Sequence, residues 1–340
     1  MSISNEGVQL RIMKGEFKPN LYLTNMSMAY FQSNDLYVAK TMFPIVPVQL
    51  SSGMYYIFDK ADLARDNVQR KPMNGRVAPA VFSNHTDSYA CYVDQIITGI
   101  DQIARLNYER TNAPGAADPR VAKTRFITEQ MLIHQDIEFA KGFFKSGVWS
   151  NEWTGVDSTS TTDKQFIKFN NSNGDPIVFF AGLINNMQRV GRRKPNRLGL
   201  GMDAFDALRN HPAILERIKY GGSSANPALV NERVIAELLG IEKVVVFGST
   251  YNKAGMGEED MDYICDPKAA LLAYATNTPA IDEPSAGYTF TWDMLGNGAY
   301  MPVAQWDGEP GTHTEFIEGL MSLTMKKTAD DLGVFLKDCV

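Results

Sequence analysis

Few side chains in this 340-residue chain stand at spacings that do chemistry. His134 and Glu138 lie four apart, one helical turn, so both can face a single ligand. Two donors fall short of the three or four that hold a zinc ion, and the pair reads as a helix-surface contact. Glu258, Glu259, Asp260 and Asp262 offer the hard oxygen ligands that calcium takes, yet such a run also serves as a solvated turn. Arg189, Arg192, Arg193, Lys194 and Arg197 suit a phosphate or carboxylate partner, or a cationic helix end that complements the dipole. The histidines at 85, 134, 211 and 313 are dispersed. There is no G-x-S-x-G elbow, P-loop, H-E-x-x-H, or G-x-G-x-x-G after a strand. No catalytic residue, metal ligand or cofactor is expected.

The elements that carry these residues are organised around Asp118–Gly147. Asp118 is a good N-cap, Pro119 suits the first helical position, and Ser146-Gly147 supplies a stop. The spacing predicts a helix over 118–146, a rod of roughly 40 Å. Its predicted buried stripe is Ala122, Phe126, Ile133, Ile137, Ala140 and Phe144, flanked by Ile127, Met131 and Phe143. Gly142, in the last turns, is expected to mark a bend or the close approach of another chain. A helix of this length exceeds what a compact domain needs, so it is expected to brace something elongated.

Before it, residues 1–48 show weak periodicity and end in an extended run, Met42–Val48, where Pro44 and Pro47 forbid helix. That run must lie along a surface, its own domain's by preference, or a neighbouring subunit's. Met54–Phe58 and Tyr89–Val93 read as two strands. They flank a long polar excursion with an Asn74-Gly75 turn signal and no core of its own. After the helix, 148–173 reads as turns and short strands. Asp175-Pro176 opens an amphipathic helix to Val190, Leu198–Met202 is a buried strand, and Asp203 is expected to cap a further helix. Helices follow at 213–219 and from Asn226-Pro227 to Gly240. Strands are expected at 241–247, 261–265, 269–275, 316–325 and 332–340. The alternation between 175 and 275 predicts an α/β unit.

Composition bounds the rest. Hydrophobic residues are 44% and charged residues 21% of the chain, as in folded soluble proteins. A formal net charge of -6 argues against a dedicated nucleic-acid binder, though not against a protein that encloses nucleic acid. Cys91, Cys265 and Cys339 are widely spaced, without C-x-x-C, so neither a disulfide framework nor a zinc site is expected, and a reducing compartment is. No secretory signal or membrane-spanning run is read in the sequence, so a soluble cytoplasmic product is expected.

At 196–222, NRLGLGMDAFDALRNHPAILERIKYGG, the chain resembles the major capsid proteins of tailed double-stranded-DNA bacteriophages. The preceding Gly191–Asn196, GIEKVVVFGSTYNKA at 240–254, the helix entry at 117–119 with its Gly147-Val148-Trp149 exit, and DLGVFL at 331–336 carry the same pattern. The resemblance covers most of 50–340. It implies an α+β capsid fold with an N-terminal arm (1–49), an extended two-stranded hairpin loop (50–98) and a peripheral domain with a spine helix (99–173). An axial α/β domain (174–299) and a return to the peripheral domain (300–340) complete it.

The function implied is structural: subunits assemble through hexamers and pentamers into an icosahedral shell. The shell encloses phage DNA without sequence-specific binding, and forms the virion capsid after assembly in the host bacterial cytoplasm. The partners implied are further copies of the chain, a separate scaffolding protein and a portal, with no membrane. Fewer than fifty residues precede the loop, so a fused scaffolding segment is not expected. An encapsulin-type compartment is the alternative with the same fold, and a soluble α/β enzyme is the alternative from another class. Subunit contacts are expected at Arg65, Arg70, Lys71 and Arg76 of the loop, at Arg192 and Arg193, and at Glu258, Glu259 and Asp260. The loops at Tyr220–Pro227 and Ser249–Met261 are expected to face the symmetry axes, where the acidic run either splays away or gathers a cation.

Overall fold

The structure is a computed structural model that describes residues 36–58, 60–71, 73–77, 79–81, 83–103, 105–106, 118–158, 162–219, 230–255, 257–279, 283–294 and 300–340. Its helices include α1 (Ala39–Met42), α2 (Lys60–Leu63), α3 (Pro119–Gly142), α4 (Pro176–Gly191), α5 (Met202–Arg209), α6 (Pro212–Lys219) and α7 (Glu232–Leu239). The strands are β1 (Ile45–Val48), β2 (Ser52–Phe58), β3 (Asn84–Ala90), β4 (Tyr92–Asp101), β5 (Glu152–Val156), β6 (Gln165–Ile167), β7 (Arg197–Gly201) and β8 (Lys243–Phe247). They continue with β9 (Thr250–Asn252), β10 (Met261–Tyr263), β11 (Ala270–Ala273), β12 (Gly287–Trp292), β13 (Val303–Asp307), β14 (Thr314–Lys327) and β15 (Gly333–Lys337).

Two sheets organise them. One has six strands in the order β6-β5-β15-β11-β7-β8. β11 runs antiparallel to both neighbours, whereas β7 and β8 are parallel. Burial on both faces explains why β11 reads Ala270-Leu271-Leu272-Ala273 with no alternation. One face packs against α4, α5, α6 and α7 through Phe180, Leu183, Leu208, Ile214 and Ile235. The opposite face meets the end of α3 and residues 39–43 in an aromatic-rich core containing Phe43, Phe139, Phe143, Phe144 and Phe247. The second sheet has five strands: β1 lies parallel to β12, and β14 pairs antiparallel with β12, β13 and β4.

The α3 helix joins the two sheets. Asp118 caps it by accepting the Arg120 N–H at 2.9 Å, and Pro119 takes the first turn. Farther along, Ile127 and Met131 pack with Ile317 and Met321 of β14. Gly319 makes that seat: a Cβ there would stand 2.5 Å from Ile127 Cγ2 and 3.1 Å from Met131 Sδ. At the far end, Phe139 packs beneath the six-stranded sheet.

Several local expectations change. The helix ends at Gly142, not near 146, because Phe143 leaves helical geometry to join the aromatic core. Gly142 therefore closes the helix and does not bend it; within the chain the nearest atom to an added Cβ is 4.0 Å away. The buried stripe is also rotated. Ala122 and Phe126 are exposed, while Thr124, Thr128, Gln135 and Asp136 are buried. Helix α5 starts two residues early, with Gly201 as its N-cap and no side-chain cap. Asp203 lies inside it because Pro267 O accepts the Ala204 N–H at 3.0 Å and holds the first turn. Val93 belongs to β4 and thus to the five-stranded sheet, not to the hairpin. The extended run before the hairpin pairs as β1 with β12 of its own chain. Residues 1–35 and the 220–229 loop fall outside the described residues, as does the expected start of α7 at Asn226-Pro227. The described α7 begins at Glu232 under an Asn231 cap.

Candidate assembly site

The hairpin is the first surface. β2 and β3 pair from Ser52↔Ala90 to Phe58↔Asn84, and Tyr55 Oη donates to Asp87 Oδ2 at 2.8 Å directly across the ladder. Tyr89 stacks on Phe290 of β12 with centroids 4.8 Å apart, which anchors the base to the five-stranded sheet. Asp62 closes the two legs by accepting the Ser83 N–H at 3.0 Å. Beyond that point the described residues of the loop form no core. Val68, Met73 and Val81 are 89%, 96% and 79% exposed. Asn74 adopts φ 59°, the left-handed geometry its turn signal anticipates.

Arg65, Arg70, Lys71 and Arg76 are all exposed on this loop. The structure does not bring them to the basic cluster after α4, but the loop's first turn does reach that cluster. Arg192 NH1 donates to Leu63 O at 3.4 Å, and Lys60 pairs with Asp331. Arg193 is engaged by its own chain, 3.2 Å from Glu283 and 5.7 Å from the Tyr274 ring centroid.

The acidic run forms a hairpin between β9 and β10. Asn252 organises it: its Oδ1 accepts the Ala254 and Asp260 N–H groups at 3.0 and 2.9 Å, and its Nδ2 donates to Glu258 O at 2.8 Å. Glu258, Glu259 and Asp260 point to solvent, whereas Asp262 pairs with Lys253. The lysine hydrogen bond holds the Asp262 carboxyl below its usual range, and Asp262 raises Lys253 in return. The run therefore presents three exposed carboxylates outside the Lys253–Asp262 pair, where the sequence suggests four. Among the described residues no group of three or more His, Cys, Asp or Glu is placed to hold a metal ion.

The joint that sets the helix against the five-stranded sheet escaped the sequence reading. Glu315 of β14 is 4% exposed and accepts the Arg120 fork, Nε at 2.8 Å and NH2 at 2.9 Å, with Arg105 NH1 at 3.1 Å. Burial opposes its charge, yet the two guanidiniums hold the carboxyl below its ordinary value. Arg120 at a helix N-terminus runs against the dipole, which signals that a partner anchors it; the partner lies 195 residues away. Glu315→Gln is expected to cost about 1–3 kcal/mol, below the loss for a wholly buried pair because both arginines are about one-third exposed. The contribution is complete above pH 4.5 and is lost as pH falls through the lower folded-state value. Acid unfolding of the variant beside the wild type checks this.

No family model matches the chain. It is 23% identical over 279 residues to the major capsid protein of Burkholderia phage BcepMu, covering 78% of this chain and 81% of that protein. Among solved structures it is similar to a phage-related protein from Bordetella bronchiseptica RB50, with TM-score 0.70, 17% identity, and 95% and 98% of the two chains covered. It is also similar to the capsid structure of cyanophage P-SCSP1u, with TM-score 0.52, 10% identity, and 87% and 86% covered. The chain is thus similar in sequence to a phage major capsid protein and has the α+β fold seen in phage capsids.

Proposed function

We propose that this chain is the major capsid subunit of a tailed bacteriophage, a structural protein and not an enzyme, that assembles through hexamers and pentamers into a closed shell around double-stranded DNA. The observation that carries the reading is the extent of the likeness to the BcepMu capsid protein, which spans 78% of this chain. The exposed hairpin loop supports it physically. A loop with Val68, Met73 and Val81 in water buries almost nothing of its own and gains its apolar contacts only against another surface.

In this reading residues 174–299 form the axial domain, 99–173 and 300–340 the peripheral domain, and α3 is the spine that fixes one to the other. The hairpin reaches a neighbouring subunit. There Arg65, Arg70, Lys71 and Arg76 meet acidic groups, each exposed pair contributing about 0–1 kcal/mol, so repetition around the shell matters more than any single pair. Assembly takes place in the host bacterial cytoplasm, with a separate scaffolding protein and a portal as partners. The net charge of -6 suits a container that does not grip its cargo.

Electron microscopy of the purified full chain tests the reading. Closed icosahedral particles, with subunit protection of 63–83 from protease that the dissociated chain lacks, are the expected result. Only monomers or small oligomers, with and without a co-expressed scaffolding protein, would overturn it. Closed particles that carry protein cargo and no DNA from infected cells would point to an encapsulin-type compartment instead.

A further inference from the structure

Asp136 lies on α3 near its junction with the six-stranded sheet and is 2% exposed. Its Oδ1 accepts the Ala39 N–H at 3.3 Å, and its Oδ2 accepts the Ser249 hydroxyl at 2.7 Å. These partners come from 97 and 113 residues away along the chain. Val38, the N-cap of α1, makes no side-chain cap; Asp136 supplies that acceptor from another element. One carboxyl therefore ties together the segment leading into the hairpin, the helix, and the loop that follows β8.

The charged surroundings give this carboxylate little support. From the α1 segment Lys40 favours the ionised form, but burial outweighs it together with both hydrogen bonds and pushes the group up to about 6. Tyr37, in the same segment, is raised by burial, then by Glu129 and by Asp136 itself. From the segment after β10, the Cys265 thiol is raised well above its usual value, chiefly by burial, with Asp136 and Asp266 adding to it. The neighbouring ionisable groups of α3 are committed elsewhere, His134 to Asp94 at 3.4 Å and Glu138 to Lys141 at 2.9 Å.

We propose that Asp136 is a proton-operated joint: with its carboxyl neutral, the junction of residues 36–42, helix α3 and the loop after β8 is closed tightly, and ionisation loosens it. The chemistry of both partners permits the change. A neutral carboxyl still accepts the Ala39 N–H on one oxygen and donates its proton to Ser249 Oγ, since a hydroxyl both donates and accepts. An ionised carboxyl keeps the same two contacts but places a charge in an enclosure with one lysine nearby, and an under-compensated buried charge is costly. The inference rests on this geometry and not on the shell reading.

Thermal unfolding of the full chain between pH 4 and 8 tests it, with wild type beside Asp136→Asn. Asparagine keeps both contacts, accepting from Ala39 through Oδ1 and donating to Ser249 through Nδ2, but never ionises. Because the folded-state value exceeds the ordinary 3.8, the folded chain binds the proton more tightly. That stability is present in full below pH 3.8 and is lost as pH rises through about 6. The two proteins are therefore expected to unfold together near pH 4, with a gap favouring asparagine that opens to about 4 °C by pH 7. His134, raised by its hydrogen bond to Asp94, contributes at higher pH and equally to both proteins, so it cancels. A gap that does not change with pH, or an asparagine variant less stable than wild type at pH 7, overturns the proposal. If that variant fails to fold, Ser249→Ala decides. It removes the hydroxyl that steadies the ionised form, so its deficit should grow from pH 4 to 7, and a constant deficit overturns the proposal.

Discussion

Gly201→Ala is expected to be among the most damaging single-atom additions in the chain, costing about 3–5 kcal/mol and leaving little folded protein at 37 °C. Gly201 closes β7 and caps α5. Its N–H donates to Ala269 O at 2.9 Å, and the next turn is held by Pro267 O. A Cβ built on it falls 2.4 Å from both Asp266 O and Pro267 O. Both are backbone atoms, so no side chain can rotate out of the way. Relief requires the 266–269 turn to move off the strand end, which breaks the hydrogen bonds that start α5 and feed β11. Gly182→Ala is the matched control. It lies on the exposed face of α4 with no atom within 4 Å of an added Cβ, and it removes a helix-interior glycine, so a gain of up to about 1 kcal/mol is expected. Denaturant midpoints of the two variants decide the matter. Equal effects would mean that the crowding at Gly201 is not real.

How much of this was legible in the sequence divides along a physical line. Signals that act within a few residues were readable. Asp118-Pro119 and Asp175-Pro176 mark the starts of α3 and α4, with both aspartates accepting N–H groups of the first turn. The buried runs at 198–202 and 269–275 became β7 and β11. Signals that depend on what packs against an element were not. The buried face of α3 follows Gly319 beneath it and Asp136 reaching to Ser249 and Ala39, and none of these leaves a periodic trace in the helix's own residues. The six residues of β12 and the five of β13 found no place in the reading; β12 takes its parallel partner from β1, distant in sequence, whereas β13 pairs with the next strand, β14.

The same division holds for the assembly residues. The loop's lack of a core was visible as a long polar excursion, and Val68, Met73 and Val81 are indeed exposed on it. The basic cluster after α4 was visible only as composition. That Arg193 is consumed by Glu283 and Tyr274, while Arg192 touches the loop at Leu63 O, is a consequence of chain tracing that composition does not encode. Asp262 likewise looked like part of an acidic run until the hairpin placed Lys253 beside it.

Phe139→Ala should separate the helix from the six-stranded sheet, at a cost of about 3–5 kcal/mol. Phe139 is 1% exposed on the last turn of α3. Its ring centroid lies 5.2 Å from Phe247, 5.7 Å from Phe143 and 6.1 Å from Phe43. Those rings come from β8, the helix end and the segment after α1, so one truncation removes the shared contact of three elements. A cavity at such a crossing collapses poorly, because each wall belongs to a different rigid piece. Phe139→Leu keeps most of the volume and should lose less than half as much. The expected pattern is a lower unfolding midpoint for Ala, an intermediate one for Leu, and faster amide exchange in 139–149 and 39–43 than at the Arg120–Glu315 end of the helix. Exchange that rises equally at both ends would mean the helix is released as one body. If α3 is the spine of a shell subunit, the alanine variant should also yield fewer closed particles at temperatures where its isolated subunit remains folded. Unchanged particle yield together with a lowered midpoint would confine the role of this crossing to subunit stability.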